Sequence, residues 1–182
     1  LIPSNGGSFS PNQMIRLPFN IPTDSFANLK GAYIKFKVNN ADSSNAAVLD
    51  PVAGAGAFID TWRISSGTGA LLEEIVHYNA IYSLMNDMVS VGHRESNGNV
   101  MDGTTDAPLT DVQLGGTGKA TLASSTTRTV IAASGSATLT HVPMSGFFQC
   151  DRLAPLGFAT GTSTIEIILP QAEFPLAFNN DQ

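Results

Sequence analysis

The sequence predicts an all-β domain of antiparallel strands, folded as a sandwich, barrel or jelly roll, with one short helix and one long loop insertion. Three observations lead there. Short segments of alternating apolar and polar residues recur along the chain, turns rich in Gly and Pro separate them, and only one stretch has helical spacing. Strands do not alternate with helices, so a parallel α/β fold is not expected. At 182 residues the chain reads as a single domain, 1–182, long enough to bury a core without disulfides.

The first strand runs from Gln13 to Ile21, with Ile15, Leu17, Phe19 and Ile21 on one face and Arg16 and Asn20 on the other. Pro18 has no N–H for a ladder, which places this strand at a sheet edge or a bulge. Ala32 to Val38 repeats the pattern, with Ile34, Phe36 and Val38 inward and Tyr33, Lys35 and Lys37 outward. Phe58 to Ser65, rich in aromatic and branched residues, is a third strand. Gly67-Thr68-Gly69 then supplies a turn, and Ala70 to Val76 pairs back as its hairpin partner. Further strands are predicted at Thr126 to Ala133, Ser136 to Val142 and Ser163 to Leu169, with a weaker one at Glu173 to Phe178, interrupted by Pro175.

Ile81, Leu84, Met85 and Met88 fall at i, i+3, i+4 and i+7, an amphipathic helical spacing, and Asn79 is a candidate N-cap. From Val89 to Ser125 the pattern dissolves into Gly, Asn, Thr and Asp. Such a long loop is uncommon inside a compact domain. With little apolar area to offset ordering entropy, the insertion 89–125 is expected to leave the sandwich and to be either mobile or ordered only against a neighbouring chain.

Charge narrows the function classes. Only 13% of residues are charged, about half the ~25% usual for soluble domains, and Ser, Thr, Gly, Asn and Ala take their place. Charge depletion of this kind marks the core of protein interfaces, which points to assembly with other chains ahead of the alternative, an ordinary secreted β-domain rich in Ser and Thr. A net charge of −6 and the lack of any basic run argue against direct nucleic-acid binding. No apolar run approaches the ~18 residues of a transmembrane segment. The first residues lack a basic stretch followed by an apolar one, so no signal peptide is expected, and a processed chain or a piece of a longer one fits the missing initiator methionine. Cys150 is the single cysteine, which excludes an internal disulfide framework and a CxxC site.

Little in the sequence points to catalysis. Gly115-Gly116-Thr117-Gly118-Lys119 resembles a phosphate-binding loop only superficially. Gln113 stands where the motif needs its first glycine, and Ala120 where it needs Ser or Thr for magnesium. His77, His93 and His141 lack metal-ligand spacing, and His141, on the strand face of Ala137 and Leu139, fits a hydrogen-bonded core histidine. Glu73 and Glu74 are adjacent on a strand and point to opposite faces. No G-x-S-x-G elbow is present. No catalytic, cofactor-binding or metal-binding residues are assigned, and no cofactor or enzymatic activity is expected.

One series of motifs is more specific. Ala57-Phe58-Ile59-Asp60-Thr61-Trp62-Arg63-Ile64 is followed by Gly69-Ala70-Leu71-Leu72-Glu73-Glu74-Ile75 and by Tyr78-Asn79-Ala80-Ile81-Tyr82 through Asp87. Ser8 to Asn20 and Asn28 to Val38 precede them. Ser145-Gly146-Phe147-Phe148, Leu153-Ala154-Pro155-Leu156-Gly157 and Ile165-Glu166-Ile167-Ile168-Leu169 close the series. In order and spacing this resembles the first jelly roll of double-jelly-roll major capsid proteins from polinton-like viruses, virophages and related eukaryotic DNA viruses. The resemblance spans nearly the whole chain except 89–125.

The resemblance implies an antiparallel jelly-roll sandwich and a structural role. Copies would associate, as a trimeric capsomer, with one another and with other capsid proteins in the icosahedral capsid of a virion, assembled inside the infected host cell. It carries no catalytic residues. Family members hold two jelly rolls in a longer chain, so more protein is expected beyond Gln182, or else a strand donated by a neighbour. The alternative is a carbohydrate- or receptor-binding jelly-roll module, lectin-like or part of a viral spike or penton, for which Trp62 and Tyr33 are the aromatic candidates. The strand registers make a further expectation: Ile15, Leu17, Phe19, Ile34, Phe36, Val38, Ile165, Ile167 and Leu169 form one shared core between two sheets.

Overall fold

A computed structural model describes residues 2–20, 26–27, 29–50, 52–90, 101–103, 130–149, 154–155, 161–172 and 175. The described residues are mostly β, with antiparallel ladders and few helices. Ten strands are present among the described residues: β1 (Met14–Phe19), β2 (Phe26–Ala27), β3 (Ile34–Asn39), β4 (Ala47–Val48), β5 (Thr61–Ser65), β6 (Leu71–Val76), β7 (Val130–Ile131), β8 (Ser136–His141), β9 (Ala154–Pro155) and β10 (Ser163–Ile168). A 3-10 turn occupies Gly54–Phe58, helix α1 spans Tyr78–Asp87, and a one-turn helix, α2, spans Gly146–Gln149.

The pairing is nested. β1 pairs with β10, β2 with β9, β3 with β8, β4 with β7 and β5 with β6, all antiparallel. Each strand of the first half thus meets its mirror in the second. One extra ladder, β10 to β5, joins the outermost pair to the innermost, giving the sheet order β1-β10-β5-β6.

The chain forms two compact units, each built from three separate segments. The first comprises Leu1–Tyr33, Phe58–Asn79 and Val142–Gln171; the second comprises Ile34–Ala57, Ala80–His141 and Ala172–Gln182. The first unit holds the four-stranded sheet and the β2–β9 pair, and the second holds the β3–β8 and β4–β7 pairs.

In the first unit, strand alternation sorts the sheet into two faces. One carries the rows Ile15, Ile167, Trp62, Ile75 and Leu17, Ile165, Ile64, Glu73. Leu17, Trp62, Ile64, Ile165 and Ile167 are buried there, and Ile15 and Phe19 half-buried. The other face carries the row Arg16, Glu166, Arg63, Glu74. In the second unit, β3 alternates half-buried Ile34, Phe36 and Val38 with exposed Lys35, Lys37 and Asn39, and Leu139 of β8 is fully buried. The nine residues expected to point inward are therefore all buried or half-buried, Leu169 included.

β1, β3, β8 and β10 lie where alternation places them, β6 pairs back on β5 as the expected hairpin partner, and β1, with Pro18, is the last described strand in its sheet, where a missing N–H costs least. The turn at 67–69 also forms: Ser66 N–H donates to Ala70 O, and Gly69 adopts φ +84°, a left-handed conformation that glycine reaches without a Cβ clash.

Three sequence readings are corrected. The strand expected from Phe58 begins only at Thr61, because the small residues Gly54, Ala55, Gly56 and Ala57 pack as a buried 3-10 turn that runs to Phe58. Asn79 does not cap α1, which already begins at Tyr78; the Tyr78 N–H donates to Asp60 O. Tyr33 precedes β3 rather than lying on it. Ile21, His93, the Gly115–Lys119 stretch, 126–129, Cys150 and most of Glu173 to Phe178 lie outside the described residues.

Candidate functional site

Residues from four of the resembled motifs, Trp62, Glu73, Tyr78 and Ser145 to Phe148, meet within the first unit. Trp62 of β5 is fully buried, with Phe148 of α2 edge-on to it at 5.8 Å between ring centroids and Tyr78 at 6.3 Å. The Tyr78 hydroxyl accepts the Met144 N–H at 2.6 Å. Glu73 sits at the end of an otherwise apolar row, where Ser145 Oγ donates to its Oε2 and the Gly146 N–H donates to its Oε1 at 2.8 Å. Ser145 Oγ also accepts the Phe148 N–H at 3.4 Å, so serine and carboxylate together satisfy the free N–H groups opening α2. Trp62 Nε1 is the exception, a buried donor with no partner among the described residues.

The adjacent glutamates do part company. Glu73 caps α2 on one face, while Glu74 lies on the other, where Arg63 Nε donates to its Oε1 at 3.0 Å. Arg63 also reaches Glu166 at 3.5 Å, and Glu166 accepts Arg16 Nε at 3.1 Å. The result is an alternating +, −, +, − row across all four strands. The hydrogen bonds Arg63 donates to Glu74, above all, hold the pKa of its guanidinium above the ordinary value. Partly exposed pairs of this kind contribute about 0.2–1 kcal/mol each, and they leave the face electrically balanced.

The second unit contains a different cluster. His141, at the end of β8, is fully buried, and its Nδ1 lies 3.1 Å from Asp102 Oδ1. A carboxylate can only accept, so Nδ1 carries the proton. The Tyr82 hydroxyl donates to Asp102 Oδ2, and the Tyr82 ring stands edge-on to the imidazole at 4.7 Å. The Ala55 N–H donates to the Asp102 carbonyl at 2.7 Å. Asp102 belongs to the 89–125 insertion, so at 101–103 the insertion is fastened to the second unit rather than leaving it; 91–100 and 104–125 lie outside the described residues. The triad of types suggests chemistry, but an imidazole with no solvent access cannot meet a substrate, and the arrangement satisfies buried polar groups.

Helix α1 presents the surface that stands out. Its buried positions are Tyr78 and Asn86, with Tyr82 half-buried, and Asn86 Nδ2 donates to Val52 O at 2.6 Å. An amphipathic stripe ordinarily faces the core. Here Ile81, Leu84, Met85 and Met88 are 40%, 61%, 50% and 74% exposed. In the first unit, Leu71, Leu72 and Val76 of β6, the last strand of its sheet, are exposed as well.

Of the remaining candidates, His77 is exposed, with Nδ1 3.8 Å from Asp60, and Tyr33 is 63% exposed. Among the described residues no group of three or more His, Cys, Asp or Glu could hold a metal ion, and no helix is long and apolar enough to cross a membrane. Compared with known proteins, the chain matches no family model, no curated protein and no solved structure.

Proposed function

We propose that this chain is a non-enzymatic structural coat protein of jelly-roll fold. Its copies associate into capsomers, trimeric ones, of an icosahedral capsid, with other capsid proteins as partners in the virion. The observation that carries the reading is the nested strand order, in which β1 to β5 pair with β10 to β6 in mirror sequence. A long hairpin folded back on itself makes that pattern, and the β10–β5 ladder is the closure that such folding brings about.

Two further observations support it. Four of the motifs that resemble those of double-jelly-roll capsid proteins contribute residues to one hub, so Glu73 with Ser145 and Trp62 with Phe148 give those four a shared structural reason. A chain only 13% charged, with an apolar stripe in solvent, has a surface suited to contact with other protein. The alternative, a carbohydrate- or receptor-binding module, calls for exposed aromatics; Trp62 is buried, which leaves Tyr33.

Negative-stain microscopy and sedimentation of the purified chain test the proposal. Large symmetric particles, or capsomer-sized trimers, are the expected result. A monomer at every concentration that binds glycans would overturn the coat reading in favour of the alternative.

A further inference from the structure

We infer that the exposed stripe of α1, Ile81, Leu84, Met85 and Met88, is a contact between copies of this chain, seated against the same helix of a second copy. The inference rests on the coat reading and locates one of its interfaces, a two-fold contact between capsomers, since a contact of identical faces does not close a trimer.

The stripe is a ridge at i, i+3, i+4 and i+7 that runs from Ile81 to Met88, the residue just after the helix ends at Asp87, and such a ridge is the geometry by which one helix packs on another. It holds the four long apolar side chains of the segment, while Tyr78, Tyr82 and Asn86 turn to the buried side. At their observed exposures the four side chains offer about 450 Å² of apolar surface, the size of the largest patch on a typical monomer, which is often a functional one. That is about half of what one partner contributes to an interface of standard size. The stripe is thus large enough for the centre of an interface and too small to be all of it.

Charge selects the occupant. A contact between identical faces brings each residue near its own copy, so any charge on the face would meet its like. The helix, Tyr-Asn-Ala-Ile-Tyr-Ser-Leu-Met-Asn-Asp, has no basic residue and a single acid, Asp87, at its C-terminal end. In an antiparallel pair the two Asp87 side chains stand at opposite ends, and the helix dipoles oppose. A bilayer surface fits less well. Interfacial helices carry Lys and Arg to meet anionic headgroups, and this helix, in a chain of net charge −6, offers none.

The test uses the full chain, with sedimentation velocity over a hundredfold concentration range and microscopy in parallel. Leu84→Glu/Met88→Glu places like charges at the middle and end of the stripe. Met85→Gln/Met88→Gln is a milder pair at exposed positions, which carries the test if the glutamate variant does not fold. Ile2→Glu, at a residue 83% exposed, controls for added charge. The expected result is association by the wild type and Ile2→Glu, with at least tenfold weaker association by the stripe variants at unchanged melting temperature. If stripe variants and wild type associate alike, the inference falls and the coat reading stands. Wild type that stays monomeric throughout overturns both. A chain whose stripe variants associate normally but lose binding to vesicles of phosphatidylcholine and phosphatidylserine would reassign the stripe to a membrane and overturn the inference.

Discussion

His141 and Asp102 stand 39 residues apart in the chain, yet the imidazole Nδ1 lies 3.1 Å from the carboxylate, and His141 has no solvent exposure. Asp102 also accepts from Tyr82 through its side chain and from the Ala55 N–H through its backbone, so one residue of the insertion joins α1, the 3-10 turn and β8 within the second unit. Removing a partner from such a set leaves the others desolvated without compensation, which costs more than the bond itself.

Asp102→Ala is therefore expected to lower stability by about 2–4 kcal/mol, read by urea unfolding. Asp102→Asn keeps an acceptor for one of the two donors and loses less. Equal stability of Asp102→Ala and wild type would show that the cluster contributes nothing.

A second prediction concerns Gly56. A Cβ built there would clash with Tyr82 Cδ1, and the ring is held by its hydroxyl's bond to Asp102 and by its edge-on contact with His141. Gly56→Ala is expected to destabilise by about 1–3 kcal/mol through overpacking. Adding Tyr82→Ala should remove the clash, so the double variant will lose less than the sum of the two single losses. Strict additivity would show that the alanine methyl does not meet the ring.

How much of this was legible depends on the range of the interactions involved. Alternation alone located β1, β3, β8 and β10, because a half-buried strand writes its two faces into consecutive residues. Pro18 named a sheet edge for the same local reason. The apolar run from Phe58 misled, since it is the neighbouring small residues, closing under Tyr82, that hold the 3-10 turn. For α1 the period was correct and its direction was not evident. Spacing identifies a stripe, but which face is buried depends on what Tyr78, Tyr82 and Asn86 find across the fold. Asp102 gave no signal, one acid in a Gly/Asn/Thr stretch whose partners are remote. Glu73 and Ser145 fall within separate motifs 72 residues apart, and nothing local shows that the two residues meet.

That pair supplies the third prediction. Ser145→Ala removes both the donor to Glu73 and the cap on Phe148 N–H, with an expected loss of about 1–2 kcal/mol. Glu73→Ala should cost a similar amount, and because the residues act on one helix end, the double variant should fall short of the sum. Thermal melts of the four proteins in this cycle are sufficient. A coupling energy of zero would mean that the two residues stabilise α2 independently.

The last prediction is a pH dependence confined to one loop of the second unit. Between β3 and β4, Asp42 Oδ1 accepts the Ser44 N–H at 2.7 Å and the Asn45 N–H at 3.1 Å, while Oδ2 accepts Asn45 Nδ2 at 3.0 Å. These bonds favour the charged carboxylate, the Ser44 bond most, and hold Asp42 below its ordinary value of 3.8. A depressed acid stabilises the folded loop above the unfolded value, and that contribution is lost as pH falls through 3.8 and then through the lower folded value. At neutral pH the loop should accordingly be fully ordered and insensitive to small pH changes. Below pH 3.8 the amides of Ser44 and Asn45 should shift together and exchange faster. In Asp42→Asn the charge is gone, and an amide nitrogen placed at Oδ2 would face the Asn45 donor, so the loop should already be looser at pH 7 and its acid transition should vanish. Backbone amide shifts recorded from pH 6 to pH 2 for both proteins will decide the matter. An identical acid transition in Asp42→Asn would assign it to another carboxylate and remove Asp42 from the account.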